Sequence, residues 1–397
     1  MFRHQLAMSM GAGVQGPLGL GKDEQNVLVI EPSVLSGVLK LPPSKSHAMR
    51  WITLASMDEN PTKITMWEIG NDVQAMIDCW HKLGLEWNGN TMNGGKLSRP
   101  DAALDCVNSG TALRFLIAQA ATCNFPIVLD GDASLRARSS LHLLESLGVS
   151  VSKEGNSSEY PLNIHGPFDK EIVELDVSRT SQFHSAVMLM TPRTNGFTLL
   201  TKGDAVSRRH SSLTWRLCQL TGAKEPGVPW KVNCPDVNIP PDASMMAFAK
   251  LASLDVENPP DESESIGHSL ENSALRDSND LITPMAAWLS MSNGGVISGA
   301  AHAAHKESNR ITRTVEMLSQ FGIESSATSD GIIVKGGQVP RRPEGVVATY
   351  GDHRIQMTAV ILAGICGGVI EGPNLHEVAW PSYIEQLQRR GLIVESK

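Results

Sequence analysis

Apolar positions along the chain fall into stretches of helical period and short runs of strand length, and one combination of the two recurs. An amphipathic stretch ends in Leu-Gly or a close relative of it, and a strand-like run follows. Residues 76–86 have this form around Gly84, 141–151 around Gly148 and 213–223 around Gly222. Residues 314–324 repeat it around Gly322, and 384–394 around Gly391. Glycine at such a junction supplies the left-handed backbone that stops a helix. The junctions are roughly 70 residues apart, except for about 100 between the third and the fourth. This spacing predicts a repeat architecture of α/β class from which one copy is missing. The long interval holds Glu257-Asn258-Pro259-Pro260-Asp261-Glu262-Ser263-Glu264-Ser265, acidic and proline-bearing, which reads as a loop. Ahead of the repeats, Val27-Leu28-Val29-Ile30 reads as a buried strand.

Residues 1–26 are rich in Gly and Met and show little periodicity, so a flexible tail is expected there. Gly11-Ala12-Gly13-Val14-Gln15-Gly16 spells a dinucleotide-binding pattern, and 16–22 spell most of a phosphate-binding loop. No strand pattern precedes either, Asp23 stands where Ser or Thr is needed, and a strand rather than a helix follows. Both are read as coincidences.

At 397 residues and 41% hydrophobic content the chain is long enough for two domains with full cores. Its net charge of −8 gives no general attraction for nucleic acid or an anionic membrane. A site for anionic substrates must therefore gather its basic residues locally. The six cysteines are scattered without a C-x-x-C pair, which argues against a zinc site and for a reducing cytoplasm. No apolar run reaches the roughly 18 residues of a membrane span, and the N-terminus does not read as a secretory signal.

Basic and hydroxyl residues cluster where helices are predicted to begin. Pro42-Pro43-Ser44-Lys45-Ser46-His47-Ala48-Met49-Arg50 runs into the apolar stretch Trp51-Ile52-Thr53-Leu54-Ala55. Lys45, Ser46 and Arg50 thus fall on a helix start, where free N–H groups and the dipole favour an anion. A capped, solvated helix start is the plain alternative. Asn108-Ser109-Gly110-Thr111-Ala112-Leu113-Arg114 has the same character, and its small residues allow backbone to approach a ligand. Arg136-Ala137-Arg138 precedes the second repeat helix, and Thr180-Ser181-Gln182 opens another. His305-Lys306-Glu307-Ser308-Asn309-Arg310 reads either as a surface ion-pair set or as a site in which Glu307 is a general acid whose surroundings retain its proton. Asp280 precedes a predicted helix as cap or as functional acid, and Thr349-Tyr350-Gly351-Asp352-His353-Arg354 enters a further helix.

In this order, Lys45-Ser46-x-x-x-Arg50, Asn108-x-Gly110-Thr111-Ala112-x-Arg114, Lys306-Glu307-Ser308-x-Arg310 and Asp352-His353-Arg354 resemble the 5-enolpyruvylshikimate-3-phosphate synthase family. Asp130-Gly131-Asp132-x-Ser134-Leu135-Arg136-x-Arg138, Ser181-Gln182-Phe183 and Asp242-Ala243-Ser244 agree with it, and the resemblance runs from about residue 31 to 391. It implies two lobes of repeated βαβαββ units, an inverse α/β barrel with three units per lobe and a double hinge, here with one unit truncated. One lobe would span 43–238 and bind mainly shikimate 3-phosphate. The other would combine 1–42 with 239–397 and carry the acid/base and phosphoenolpyruvate contacts.

The implied reaction moves the enolpyruvyl group of phosphoenolpyruvate to the 5-hydroxyl of shikimate 3-phosphate and releases phosphate, without metal or cofactor. By match to the family, Asp280 is the base on the hydroxyl, Glu307 the acid for the methylene carbon, and Lys45 a charge-stabilising group near both substrates. Arg138, Arg310 and Arg354, with Lys45 and the Gly110 backbone, would hold phosphoenolpyruvate. Lys45, Ser46, Arg50, Thr180, Ser181, Gln182, Ser207, Asp280 and Lys306 would hold shikimate 3-phosphate. A monomer in the cytoplasm, with no nucleic acid or membrane partner, is the implied setting.

Four departures from the family pattern stand out. His210 replaces a Tyr, Val378 replaces a Lys that would contact phosphoenolpyruvate, Ser139 replaces a Pro, and the lobe after Asp242 is short by about one unit. Two rivals follow. A UDP-N-acetylglucosamine enolpyruvyl transferase would need a nucleophilic Cys on a mobile loop, and neither Cys106 nor Cys123 fits one. A non-catalytic relative that binds phosphorylated metabolites would account for Val378 and the short lobe.

Overall fold

The computed structural model describes residues 26–152 and 160–397. The expectation of a tail over 1–26, and the two motifs within it, therefore lie outside the described residues apart from Asn26.

The repeat helices are Asn71–Lys82, Leu141–Leu147, Arg208–Leu220, Arg310–Gln320 and Tyr383–Arg389. Each stops before its glycine, and Gly84, Gly148, Gly222, Gly322 and Gly391 all have positive φ. Strands Glu86–Asn88, Ser150–Ser152, Ser325–Ala327 and Ile393–Ser396 follow four of them. The strand expected after Gly222 does not form. Pro226 and Pro229 remove backbone donors there, and Trp230 Nε1 donates to Thr221 Oγ1 at 3.2 Å to pin an irregular loop.

Strand Val27–Glu31 lies inside a sheet, antiparallel to both Gly368–Glu371 and Ile393–Ser396, so the two ends of the described chain run side by side. Two further four-stranded sheets and one parallel pair, Ile172–Asp176 with Thr198–Lys202, serve the first half of the chain. The second half adds a three-stranded sheet and the pair Val38–Leu39 with Asp255–Val256.

Buried apolar side chains form two separate cores. One draws on residues between Ala48 and Ile239, the other on Leu28–Leu41 together with Met245–Leu392. We refer to them as the first and second lobes. Two of the passages between them run side by side: Ser44 N–H donates to Pro240 O at 2.7 Å and Asp242 N–H to Pro42 O at 2.8 Å. Helices Gly110–Ala121 and His353–Cys366 are buried almost all round, as central helices of each lobe must be.

The short unit begins at Asp242. It contributes helix Met246–Leu251 and strand Asp255–Val256 and then leaves its own lobe. The stretch read as a loop crosses to the first lobe instead. Ile266 joins the first core, and Glu264 pairs with His47 at 2.6 Å and Arg216 at 2.8 Å. Asp277 pairs with Arg208 at 2.6 Å, and Ser207 N–H donates to Arg276 O at 3.0 Å.

Candidate active site

The predicted helix starts all form. Helix Lys45–Ala55 begins on Lys45, and Thr180 caps Ser181–Met190 by accepting from Gln182 N–H at 3.2 Å. Asn309 caps Arg310–Gln320, and Asp352 caps His353–Cys366 by accepting from Arg354 N–H at 3.0 Å. These starts meet in a cavity of about 1220 Å³ lined from both lobes. Lys45, Ser46, Arg50, Gly110, Arg138, Thr180, Ser181, Gln182 and Ser207 line it from the first lobe, and Asp280, Lys306, Glu307, Arg310 and Arg354 from the second. Every candidate residue therefore faces one space.

Lys306 and Glu307 sit in the bend before helix Arg310–Gln320, not on it, so the reading of an ion-pair set on a helix surface does not hold. Arg310 is fully buried and gathers three carboxylates: Nε donates to Asp352 at 2.8 Å, Nη1 to Asp280 at 2.7 Å, and Nη2 to Glu307. Arg354 Nη2 donates to Ser244 Oγ at 2.8 Å and Nη1 to Asp280 O at 3.1 Å, while Nε stands 3.7 Å from the Asp280 carboxylate. Lys306 Nζ is also 3.7 Å from that carboxylate. Lys45 Nζ pairs with Asp72 at 2.7 Å.

On the first-lobe side, Arg138 Nη2 donates to Asn108 O at 2.7 Å and to its Oδ1 at 2.5 Å. Gly110 leaves room for it. A Cβ there would stand 3.2 Å from Arg138 Nη1 and 2.4 Å from Arg114 Nη1. Arg50 is held by Thr214 Oγ1 at 2.7 Å, Ser46 O at 2.7 Å and Ser185 Oγ at 3.2 Å, so most of its donors serve the wall itself. Gln182 Nε2 donates to Thr111 Oγ1 at 3.1 Å. Ser207, in left-handed backbone, has its Oγ 3.3 Å from His302 Nε2 across the lobes.

Charge in the cleft is finely opposed. Burial would raise the Asp280 and Glu307 carboxyls, but the surrounding cations overcome it and hold both well below the usual range. For Asp280 these are Lys306, Arg354 and Arg310. For Glu307 they are Arg310, Arg138 and Lys45. The surroundings therefore favour the ionised carboxyl of Glu307, which goes against the alternative in which they retain its proton. Burial lowers Lys306, only partly offset by Asp280. Burial would lower Lys45 too, but Asp72 and Glu307 lift it above its usual value.

Several groups at the site have no signature in sequence. Asp72 comes from a distant segment and orients Lys45, while Ser244 lies in the recognised Asp242-Ala243-Ser244 but meets Arg354 only in three dimensions. Asp352 belongs to a recognised motif, yet its partnership with Arg310 is visible only in three dimensions. His268 enters from the crossing segment and stacks edge to face on His210 with ring centroids 5.8 Å apart. His210, His268 and Asp280 present possible ligand atoms within 4.8 Å of one another. Lys306, Arg310 and Arg354 crowd the same carboxylate, so this set suits a cation poorly. Val378 and Lys45 line one small cavity, and the Val378 carbonyl oxygen is 2.7 Å from where a Cβ on Gly70 would lie. Cys106 and Cys123 are buried, with thiols pushed up by a Cys79 hydrogen bond together with burial and by burial, respectively.

Two lobes of sheet-and-helix units around a cleft in which Asp280 and Glu307 sit among basic side chains define an enolpyruvyl transferase. The structure overlays a solved EPSP synthase from Acinetobacter baumannii with a TM-score of 0.74 at 22% identity, covering 94% of this chain and all of that one. It matches the enolpyruvyl transferase NikO from Streptomyces tendae with a TM-score of 0.73 at 15% identity, covering 94% and 99%. In sequence, the family model of EPSP synthase (3-phosphoshikimate 1-carboxyvinyltransferase) matches residues 29–227 and 228–387, and the chain belongs to that family. A 3-phosphoshikimate 1-carboxyvinyltransferase of Korarchaeum cryptofilum is 28% identical over 93% of this chain and 99% of its own. One of Bacillus pumilus is 28% identical over 89% and 97%. No helix among the described residues is long and apolar enough to cross a membrane.

Proposed function

We propose that the interlobe cleft transfers the enolpyruvyl group of phosphoenolpyruvate to the 5-hydroxyl of shikimate 3-phosphate and releases phosphate. The observation that carries this is the convergence of Lys45, Arg138, Lys306, Arg310 and Arg354 on one cavity, with the carboxylates of Asp280 and Glu307 placed among them. Two phosphates and two carboxylates must be held, and two protons moved.

In the addition step the hydroxyl oxygen bonds to carbon 2 of phosphoenolpyruvate. Asp280 takes the hydroxyl proton and Glu307 gives a proton to carbon 3. In the elimination step carbon 3 returns a proton, the double bond re-forms and the C–O bond to phosphate breaks. The surrounding cations hold the Glu307 carboxyl well below its usual range, so its part as an acid calls for a change in that field when substrate binds. An anionic phosphoenolpyruvate bound to Arg138 and Lys45 neutralises two of the charges that depress Glu307 and raises its proton affinity. Each acid or base contributes about 10²–10⁴-fold, and positioning in a dry cleft supplies more.

Shikimate 3-phosphate is assigned to the first lobe, residues 43–238, on Ser46, Arg50, Thr180, Ser181, Gln182 and Ser207, with Lys45, Asp280 and Lys306 closing over it. Phosphoenolpyruvate is assigned to Lys45, Gly110, Arg138, Arg310 and Arg354. Because Arg310 already engages three carboxylates, its main part is to set their geometry. The reading needs neither metal nor a second subunit, and it places the protein in the cytoplasm as a monomer. Phosphate release that requires both substrates together is the test. Tight binding of either substrate without release would leave only a phosphometabolite-binding role.

A further inference from the structure

The crossing segment that replaces the missing part of the short unit delivers a side chain with one specific bond unmade. His268 Nδ1 lies 2.9 Å from Ser265 O. A carbonyl can only accept, so Nδ1 carries the proton and Nε2 carries the lone pair. Nε2 is shielded from water and has no hydrogen-bond donor. Burial lowers the proton affinity of the ring, which keeps it neutral. The ring lines the cleft, and one of its nitrogens is within 4.8 Å of both Asp280 and His210.

The segment is fastened to the first lobe through Glu264, which pairs with His47 and Arg216, and through Ile266 in the first core. His268 therefore stays with the half of the cleft assigned to shikimate 3-phosphate, although its neighbours in sequence belong to the other lobe. A buried acceptor without a donor costs about 1–3 kcal/mol. A ligand that supplies the donor recovers that cost, so the bare nitrogen selects for an O–H group. Phosphoenolpyruvate and the anionic groups of shikimate 3-phosphate offer none when ionised, but the ring hydroxyls do. The reacting 5-hydroxyl has a single proton, which goes to Asp280.

We propose that His268 Nε2 accepts a hydrogen bond from the ring hydroxyl next to the reacting one, the 4-hydroxyl, and so fixes the acceptor ring against Asp280. His268 is then a specificity-determining contact for the acceptor, resting on the reading of the cleft given above.

The test compares shikimate 3-phosphate with its 4-deoxy analogue in calorimetric titrations of the full chain, without phosphoenolpyruvate. Two variants are used: His268→Phe, which keeps ring packing and has no acceptor, and His268→Gln, whose amide oxygen accepts. Losing an unpaired-acceptor penalty of about 1–3 kcal/mol corresponds to about 5- to 150-fold in affinity. The wild type is expected to bind the deoxy analogue weaker by a factor in that range. His268→Phe is expected to bind both ligands alike, His268→Gln to recover part of the preference, and the KM for phosphoenolpyruvate to stay within about twofold. The same ligand preference in His268→Phe as in the wild type would overturn the proposal, as would an equal rise in the phosphoenolpyruvate KM. If His268→Phe fails to fold, His268→Gln carries the comparison, and an unchanged wild-type ratio combined with weaker binding of both ligands would overturn it. Wild-type binding of shikimate 3-phosphate with the 4-hydroxyl preference but no phosphate release would sink the reaction while leaving the histidine contact standing. No binding at all would sink both.

Discussion

Arg310 Nη1 lies 2.7 Å from Asp280 Oδ1, while Nη2 of the same guanidinium holds Glu307 and Nε holds Asp352. The proposed base and the proposed acid are thus spaced by one rigid fork, which Asp352 orients from behind. A lysine carries the same charge but lacks the planar fork.

Removing Arg310 leaves the buried Asp352 and the half-buried Asp280 and Glu307 without their shared cation. Arg310→Ala is expected to cost about 3–5 kcal/mol of stability, and Arg310→Lys less. The pH dependence gives a second check. Carboxyls held below their ordinary range bind fewer protons in the fold than in the unfolded chain, so their contribution is present above the ordinary range and lost as pH falls through the depressed values. Denaturant melts of Arg310→Lys between about pH 3 and pH 6 should show a shallower loss on acidification than the wild type. An unchanged slope would mean that Arg310 does not set these carboxyls.

Glu307→Gln keeps the shape of the site and removes the proton carrier. It should bind both substrates and lose at least about a hundredfold in turnover. The wild type should also take up protons when phosphoenolpyruvate binds at neutral pH, because the bound anion relieves the depression of Glu307. Calorimetry in buffers of different ionisation enthalpy reads this uptake directly. Near-normal turnover, or equal uptake in Glu307→Gln and wild type, would remove Glu307 from the role given to it.

Arg354 reaches into the cleft from a helix start and is held by Ser244 and the Asp280 backbone. Arg354→Ala should weaken phosphoenolpyruvate by about 10- to 100-fold and shikimate 3-phosphate much less. Equal losses in the two KM values would contradict the assignment.

Glu68 of the first lobe accepts from Ser382 N–H of the second at 3.0 Å, and burial pushes its carboxyl up to about 7. Here the fold binds more protons than the unfolded chain between the ordinary glutamate value and about pH 7, so this group favours the fold at the acid end and loses that advantage as pH rises. Glu68→Gln should flatten the fall in melting temperature over that window. A wild-type and a variant curve that run parallel would show that Glu68 titrates normally.

Much of the architecture is legible in the local sequence because its signals are local. Gly84, Gly148, Gly322 and Gly391 end helices through their own backbone freedom, and the residues that open helices at Lys45, Ser181 and His353 do so through adjacent caps and prolines. The strand expected after Gly222 fails because two prolines and a tryptophan outweigh the repeat pattern. The motifs also marked the residues to which substrate and proton-transfer roles are assigned, all of which line the cleft, but not His268. What no local pattern encodes is which groups become neighbours. Asp72 reaches Lys45 across 27 residues, Ser244 meets Arg354 across 110, and His268 is carried to the opposite lobe by Glu264 and Ile266. Proton affinity follows the same division. Residue type sets an ordinary value, but burial and the summed field of neighbours from both lobes decide that the Glu307 carboxyl lies well below it, since Coulomb energy depends on distance in space and not along the chain.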